Sequence, residues 1–170
     1  MANTPVNFEK AILEIARKLE GEKYAIRGTA SLVLQEYDMN VDDIDLLGDK
    51  KTALSCNDLL KDYITEKVVY RESEKFKSYY GKFEIYGVLV EMMGEWQIKR
   101  LDKKWSRAYD GTERTMLKIE SQEIYVTTVE SELEMFSQTG RWNAYHKIKK
   151  QFDEKKKEVE QVSLFQNSKS

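Results

Sequence analysis

One cysteine, Cys56, and one histidine, His146, leave the chain unable to close an internal disulfide and give no recognisable zinc cluster. They also offer no defensible Cys-His or Ser-His pairing for covalent catalysis, so Cys56 reads as a small buried hydrophobe. A single proline and eight glycines provide no Pro- or Gly-rich linker. Residues 1–162 therefore read as one domain, with a core over 7–127 and C-terminal helices over 128–158, and residues 163–170 as a disordered or lightly docked tail. There is no apolar run long enough to cross a bilayer and no basic segment leading into an apolar signal core, so a cytoplasmic protein is expected. An excess of either charge is also lacking. The 28 basic and 30 acidic side chains nearly cancel to −2, so no long-range field points to nucleic acid and any basic patch has to be local.

What is present is an apolar fraction of 41%, enough for a packed core, distributed with clear periodicities. Phe8, Ala11, Ile12, Ile15, Ala16 and Leu19 recur at helical spacing, with Pro5 ahead of them and Gly21 as a stop. Tyr24 to Ile26 is short and β-prone, and Ala30, Leu32, Val33 and Leu34 suggest a helix capped by Thr29. Asp43 to Leu47 reads as a strand, and a helix follows the Gly48-Asp49 turn. Lys67–Arg71, Phe76–Tyr80 and Lys82–Met93 read as strands, with Gly81 turning a hairpin between the last two. Thr115–Ile119 and Glu123–Thr127 form a second hairpin around Ser121-Gln122. Thr127-Thr-Val-Glu130 has the form of a capping box ahead of a helix that ends at Gly140, and a last helix carries Trp142, Tyr145 and Ile148. The expected class is α/β (α+β), a mixed sheet with flanking and C-terminal helices.

Chemistry concentrates between Tyr24 and Leu47. Gly28 permits a tight turn, and a strand-turn-helix aims backbone N–H groups outward, as phosphate-binding turns do. In Asp43-Ile44-Asp45 the strand alternation puts both carboxylates on one face, where two anions repel unless a cation joins them. Oxygen ligands of this kind suit Mg²⁺ or Mn²⁺. Read without a ligand, the same residues are a capping threonine and an acidic loop entering a strand. Val88-Leu-Val-Glu-Met-Met93 is apolar on both faces except for Glu91, as in a strand covered on both sides. A carboxylate there needs a cation or a solvated place at the strand end beside Gly94. The segment from Glu95 to Thr115 has no clear period. It reads either as a mobile basic-aromatic loop, with Trp96, Trp105, Arg100, Lys103, Lys104 and Arg107 facing a nucleotide, or as a charged linker whose tryptophans pack on the sheet.

A Gly-Thr turn, a helical spacer over residues 30–42 and an Asp-hydrophobic-Asp strand together resemble the nucleotidyltransferase superfamily typified by DNA polymerase beta. The likeness is greatest to its small bacterial and archaeal members, including those related to abortive-infection proteins and to the antitoxin partners of HEPN toxins. Thr29 stands where Gly or Ser is usual. The resemblance implies the nucleotidyltransferase fold, with Asp43 and Asp45 as ligands of Mg²⁺ or Mn²⁺ and Glu91 as a third acidic ligand in place of the usual Asp. It implies that Gly28 and Thr29 hold phosphates and that Arg141 of the Gly140-Arg141 pair binds nucleotide, although Asn143 and Ala144 replace the Lys and Asp that often follow. The implied reaction moves a nucleoside monophosphate from a nucleoside triphosphate to a hydroxyl acceptor, which can be a small molecule, a tRNA end or a protein such as a HEPN-type toxin. The other reading on the same fold is a non-catalytic nucleotide-binding or antitoxin-type module.

Overall fold

The computed structural model describes residues 3–168. In chain order the elements are α1 (Phe8–Lys18), β1 (Tyr24–Arg27), α2 (Gly28–Leu34), β2 (Ile44–Gly48), α3 (Lys50–Leu59), β3 (Ile64–Glu72), β4 (Phe76–Ile85), β5 (Val88–Ile98), β6 (Arg114–Ile119), β7 (Gln122–Thr127), α4 (Val129–Thr139) and α5 (Trp142–Ser168). The seven strands make one mixed sheet in the order β3-β4-β5-β2-β1-β7-β6. β2 runs parallel to β5 and β1 parallel to β7, while β1 and β2 are antiparallel.

Strand alternation divides the sheet into two chemical faces. Tyr24 and Ile26, Ile44 and Leu46, Val88, Val90 and Met92, and Ile124 and Val126 all join the main core with Phe8, Ile12 and Ile15 of α1 and Ala53 and Cys56 of α3. Cys56 is fully buried, which pushes its thiol up to about 12. The intervening residues Arg27, Asp45, Glu91 and Met93 therefore fall on the other face. There Leu47, Met93, Trp96, Ile98 and Tyr109 pack with Met135 of α4.

Several local expectations shift. Gly81 does not turn a hairpin, because β4 continues through it to Ile85 and the reversal falls at Tyr86-Gly87, both with positive φ (52° and 80°). Gly81 is instead a close-approach site, where a Cβ would lie 2.6 Å from Val68 Cγ2 and 2.7 Å from the Val68 amide nitrogen. β5 does not stop at Gly94 either but extends to Ile98, passing Gly94 against Ala53 of α3. Nor is β5 covered on both sides throughout, since Leu89 is exposed and continuous burial spans only Met92–Gly94.

The helix caps differ as well. α2 begins at Gly28 with Arg27 as its N-cap, which places Thr29 inside the first turn and not at the cap. The N-cap of α4 is Thr128, one residue beyond the expected Thr127, and its side chain accepts from the Ser131 amide at 3.2 Å. α3 is capped as its Gly48-Asp49 turn suggests, by Asp49 Oδ1 accepting from the Thr52 amide at 2.7 Å. α5 stays helical to Ser168, with Val159, Leu164 and Phe165 exposed. Among the described residues no helix is long and apolar enough to cross a membrane.

Candidate functional site

The parallel register of β2 and β5 sets Asp45 directly beside Glu91, and Asp43 lies just ahead of β2 with the same parity as Asp45. One carboxylate oxygen from each of Asp43, Asp45 and Glu91 lies within 4.8 Å of the others. All three are partly buried, whereas Asp42, of the opposite parity, is exposed. Burial raises the pKa of Asp45 to about 7, against the opposing pull of Arg27, with repulsion from Asp43 and both a hydrogen bond to and repulsion from Glu91 adding to the rise. Asp43 is raised by burial, then by Glu91 and Asp42. The donor set suits a hard divalent cation. Asp45 Oδ1 is buried and has no hydrogen-bond partner among the described residues, as a ligand atom facing such an ion would be.

Three side chains that the motif does not name complete this centre. Arg27, opposite Asp45 in the β1–β2 pairing, donates from Nη1 to Asp45 Oδ2 at 3.3 Å and lies 4.3 Å over the Trp96 ring. Tyr80 donates its hydroxyl to Glu91 Oε1 at 2.7 Å, and burial followed by Glu91 raises its own pKa. Glu132 of α4 is fully buried and accepts the Gly28 N–H at 2.8 Å and the Thr127 hydroxyl at 2.7 Å. The Gly28 amide is therefore already engaged, and what Gly28 adds is its backbone conformation, φ 70°, close against Asp45. None of these contacts was legible in the sequence: Arg27 precedes the motif, and the other two depend on strands and a helix that meet only in the fold.

A groove of about 1320 Å³ opens from this centre across the face opposite the main core. Asp45, Glu91, Tyr80 and Arg27 line one end, and Arg141 lines its wall beside Phe136 of α4. Gly28 and Thr29 do not line it, although Gly28 adjoins Asp45. The floor is made by a β-bulge. Lys77 pairs with Gln97 but Tyr79 with Gly94, so two residues of β5 stand against one of β4, and Glu95 takes a φ of 48°. The extra residue re-aims Trp96 and Ile98 onto the face that Glu91 and Met93 already share. Lys75, Lys99, Arg100, Lys103 and Trp105 also line the groove, together with Glu72 and Glu74.

At Trp96 the stretch from Glu95 to Thr115 takes the packed form of its two sequence readings. Trp96 is buried and stacked on Phe76, and Trp96 and Lys99 bridge back to Tyr109 and Trp105. The ammonium groups of Lys77 and Lys99 lie 4.4 and 4.7 Å from the centre of the Trp105 ring, which is half-buried and lines the groove.

Compared by sequence, the chain matches no family model and no curated protein. Compared by structure, it is similar to a protein of Thermotoga maritima assigned as a nucleotidyltransferase, at 24% identity and a TM-score of 0.73, over 89% of this chain and 96% of that one. A nucleotidyltransferase-like antigen of Paracoccidioides brasiliensis aligns over 78% of this chain and 66% of its own, at 19% identity and a TM-score of 0.43, too distant to add to the comparison. The expected fold class holds in this comparison: the chain has a nucleotidyltransferase-type fold, with an acidic triad able to hold a metal ion at one end of its groove.

Proposed function

We propose that the protein is a metal-dependent nucleotidyltransferase that moves a nucleoside monophosphate from a nucleoside triphosphate to a hydroxyl acceptor. The observation that carries this reading is the convergence of Asp45 and Glu91 on adjacent parallel strands with Asp43 just ahead of β2, Asp45 and Glu91 lining a groove large enough for a nucleotide and a second reactant. Clustered acids are costly in an empty fold, and a scaffold without such chemistry gains by losing one of them.

In this reading Asp43, Asp45 and Glu91 hold Mg²⁺ or Mn²⁺, which would offset charge on the triphosphate and acidify the acceptor hydroxyl. The acceptor oxygen attacks the α-phosphorus in line. The bond to the bridging oxygen of the β-phosphate breaks, and pyrophosphate leaves with that electron pair. Glu91, steadied by Tyr80, takes the acceptor proton. Arg141 on the groove wall orients the phosphates, and Thr29, on the first turn of α2 outside the groove lining, contributes only if the triphosphate reaches past Asp45 to that turn.

The test is incubation of the protein with Mg²⁺, each α-labelled nucleoside triphosphate, and acceptors that include small hydroxyl compounds, tRNA and HEPN-type proteins. Label transfer with pyrophosphate release, reduced about 100-fold or more by Asp45→Asn, is the expected result. A second reading, a nucleotide-binding module without turnover, is favoured by the internal partners of the site: Arg27 already pairs with Asp45, and Glu132 already holds Gly28. Nucleotide binding with no transfer to any acceptor in the panel would support it.

A further inference from the structure

Arg27 makes a single-bonded ion pair with Asp45 where a guanidinium and a carboxylate usually join through two bonds. It ends β1 opposite Asp45, so strand pairing alone brings the guanidinium to the carboxylate. Its side chain is 11% exposed, yet it offers Asp45 a single bond at 3.3 Å and turns the same nitrogen toward Met93 Sδ at 3.6 Å. Arg27 Nε and Asp45 Oδ1 are both buried without a partner among the described residues. A guanidinium and a carboxylate this close usually join through two parallel bonds, and each orphaned polar atom costs desolvation energy that the pair does not recover. The guanidinium meanwhile lies over Trp96, a contact that keeps it in place without using its hydrogen-bonding edge.

We propose that Arg27 is a resident counter-cation of the carboxylate centre, exchanged for the metal ion when nucleotide arrives. The inference rests on the reading of Asp43, Asp45 and Glu91 as a metal centre. Without nucleotide, Arg27 offsets the repulsion among the three acids and competes for Asp45, so a bare divalent ion binds weakly beside a fixed positive charge. A triphosphate reverses the balance. Its negative charge accommodates both cations, and the planar fork of Arg27, released from Asp45, matches phosphate oxygens. Arg27 thereby makes metal loading conditional on nucleotide and acts as a positioning residue for both.

The experiment measures Mn²⁺ affinity by electron paramagnetic resonance, with and without a non-hydrolysable α,β-methylene triphosphate, in wild type, Arg27→Met, Arg27→Lys and Asp45→Asn. Arg27→Met keeps an unbranched side chain on Trp96. It is expected to bind bare Mn²⁺ about tenfold more tightly than wild type and to lose most of the enhancement that the analogue produces. Arg27→Lys keeps the charge, so its bare-metal affinity stays near wild type while the enhancement falls, because an ammonium cannot form the two-pronged contact. A folded Arg27→Met that binds bare Mn²⁺ no more tightly than wild type overturns the proposal. If that variant does not fold, an unchanged enhancement in Arg27→Lys does the same. Asp45→Asn separates the two levels: Mn²⁺ binding unaffected by that change overturns the metal-centre reading itself, whereas binding that needs Asp45 but ignores Arg27 overturns only the exchange.

Discussion

At the scale of single residues, the site is a set of carboxylates whose settings come from groups outside the motif. Tyr80 donates to Glu91, so if Glu91 is a metal ligand Tyr80→Phe should lower Mn²⁺ affinity about tenfold, as loss of an outer-shell partner does, while changing stability by only about 1 kcal/mol. Calorimetric titration and a denaturant melt of the same sample would separate the two effects. Glu132 works differently because its partners are buried donors. Glu132→Ala leaves the Gly28 N–H without an acceptor and the Thr127 hydroxyl with only Ser31 Oγ, and a loss of roughly 1–3 kcal/mol is expected from the urea midpoint. A loss under about 0.5 kcal/mol would mean that water replaces the carboxylate and that the turn does not depend on it. Asp43, Asp45 and Glu91 were legible because alternation and flanking hydrophobics mark them in any single strand. Arg27, Tyr80 and Glu132 were not, since each has its role through a pairing that exists only once the strands and α4 are assembled.

At the scale of elements, the helices and most strands are visible as periodicity, whereas the long β4–β5 ribbon departs from the sequence pattern at its glycines. Gly81 has the look of a turn residue, but its place is fixed by Val68 on β3, a contact no local pattern reports. The real reversal, Tyr86-Gly87, puts a tyrosine in the left-handed region. Its hydroxyl donates to Glu14 at 2.7 Å, which ties the hairpin to α1. These glycines therefore predict an order of sensitivity. Gly81→Ala and Gly94→Ala each force a methyl into occupied space, against Val68 and at 2.4 Å from Ala53 Cβ, and should cost about 1–3 kcal/mol or more as packing errors do. At Gly87 a Cβ meets nothing within 4 Å, so Gly87→Ala carries only the left-handed backbone cost of about 1–2 kcal/mol. Thermal melts of the three variants check the order, and a Gly87→Ala protein less stable than both others would contradict it. The bulge at Glu95 was equally hidden. An extra residue in one strand leaves no mark on composition, yet it aims Trp96 into the groove and ends the reading of that tryptophan as a free stacking surface.

At the scale of the whole molecule, a net charge of −2 conceals a local concentration of acid at the carboxylate centre, while the rest of the groove lining mixes Lys75, Lys99 and Lys103 with Glu72 and Glu74. The acidic centre links stability to pH in a direction opposite to that of ordinary carboxylates. Asp45 titrates at about 7 in the folded chain, above its usual 3.8, because burial disfavours its charge. Asp43 is raised as well. Between those limits the folded state binds more protons than the unfolded state, so their contribution is fully present below about pH 4 and is lost as pH rises through 7. Glu14 works the other way. Burial pushes it up, but hydrogen bonds from Tyr86 and Tyr63 and its pairing with Arg17 outweigh that and lower it, so its contribution is lost only under more acidic conditions. Over pH 5–8 the acidic centre should therefore dominate, and the metal-free Tm is expected to fall. A divalent ion needs the deprotonated carboxylates, so the Tm gain from saturating Mn²⁺ should widen over the same range. Asp45→Asn should flatten both curves. Differential scanning fluorimetry in matched buffers, with and without Mn²⁺, provides the check. A metal-free Tm that climbs steadily from pH 5 to 8, with no response to Mn²⁺ at either end, would show that the three carboxylates neither repel one another nor share an ion.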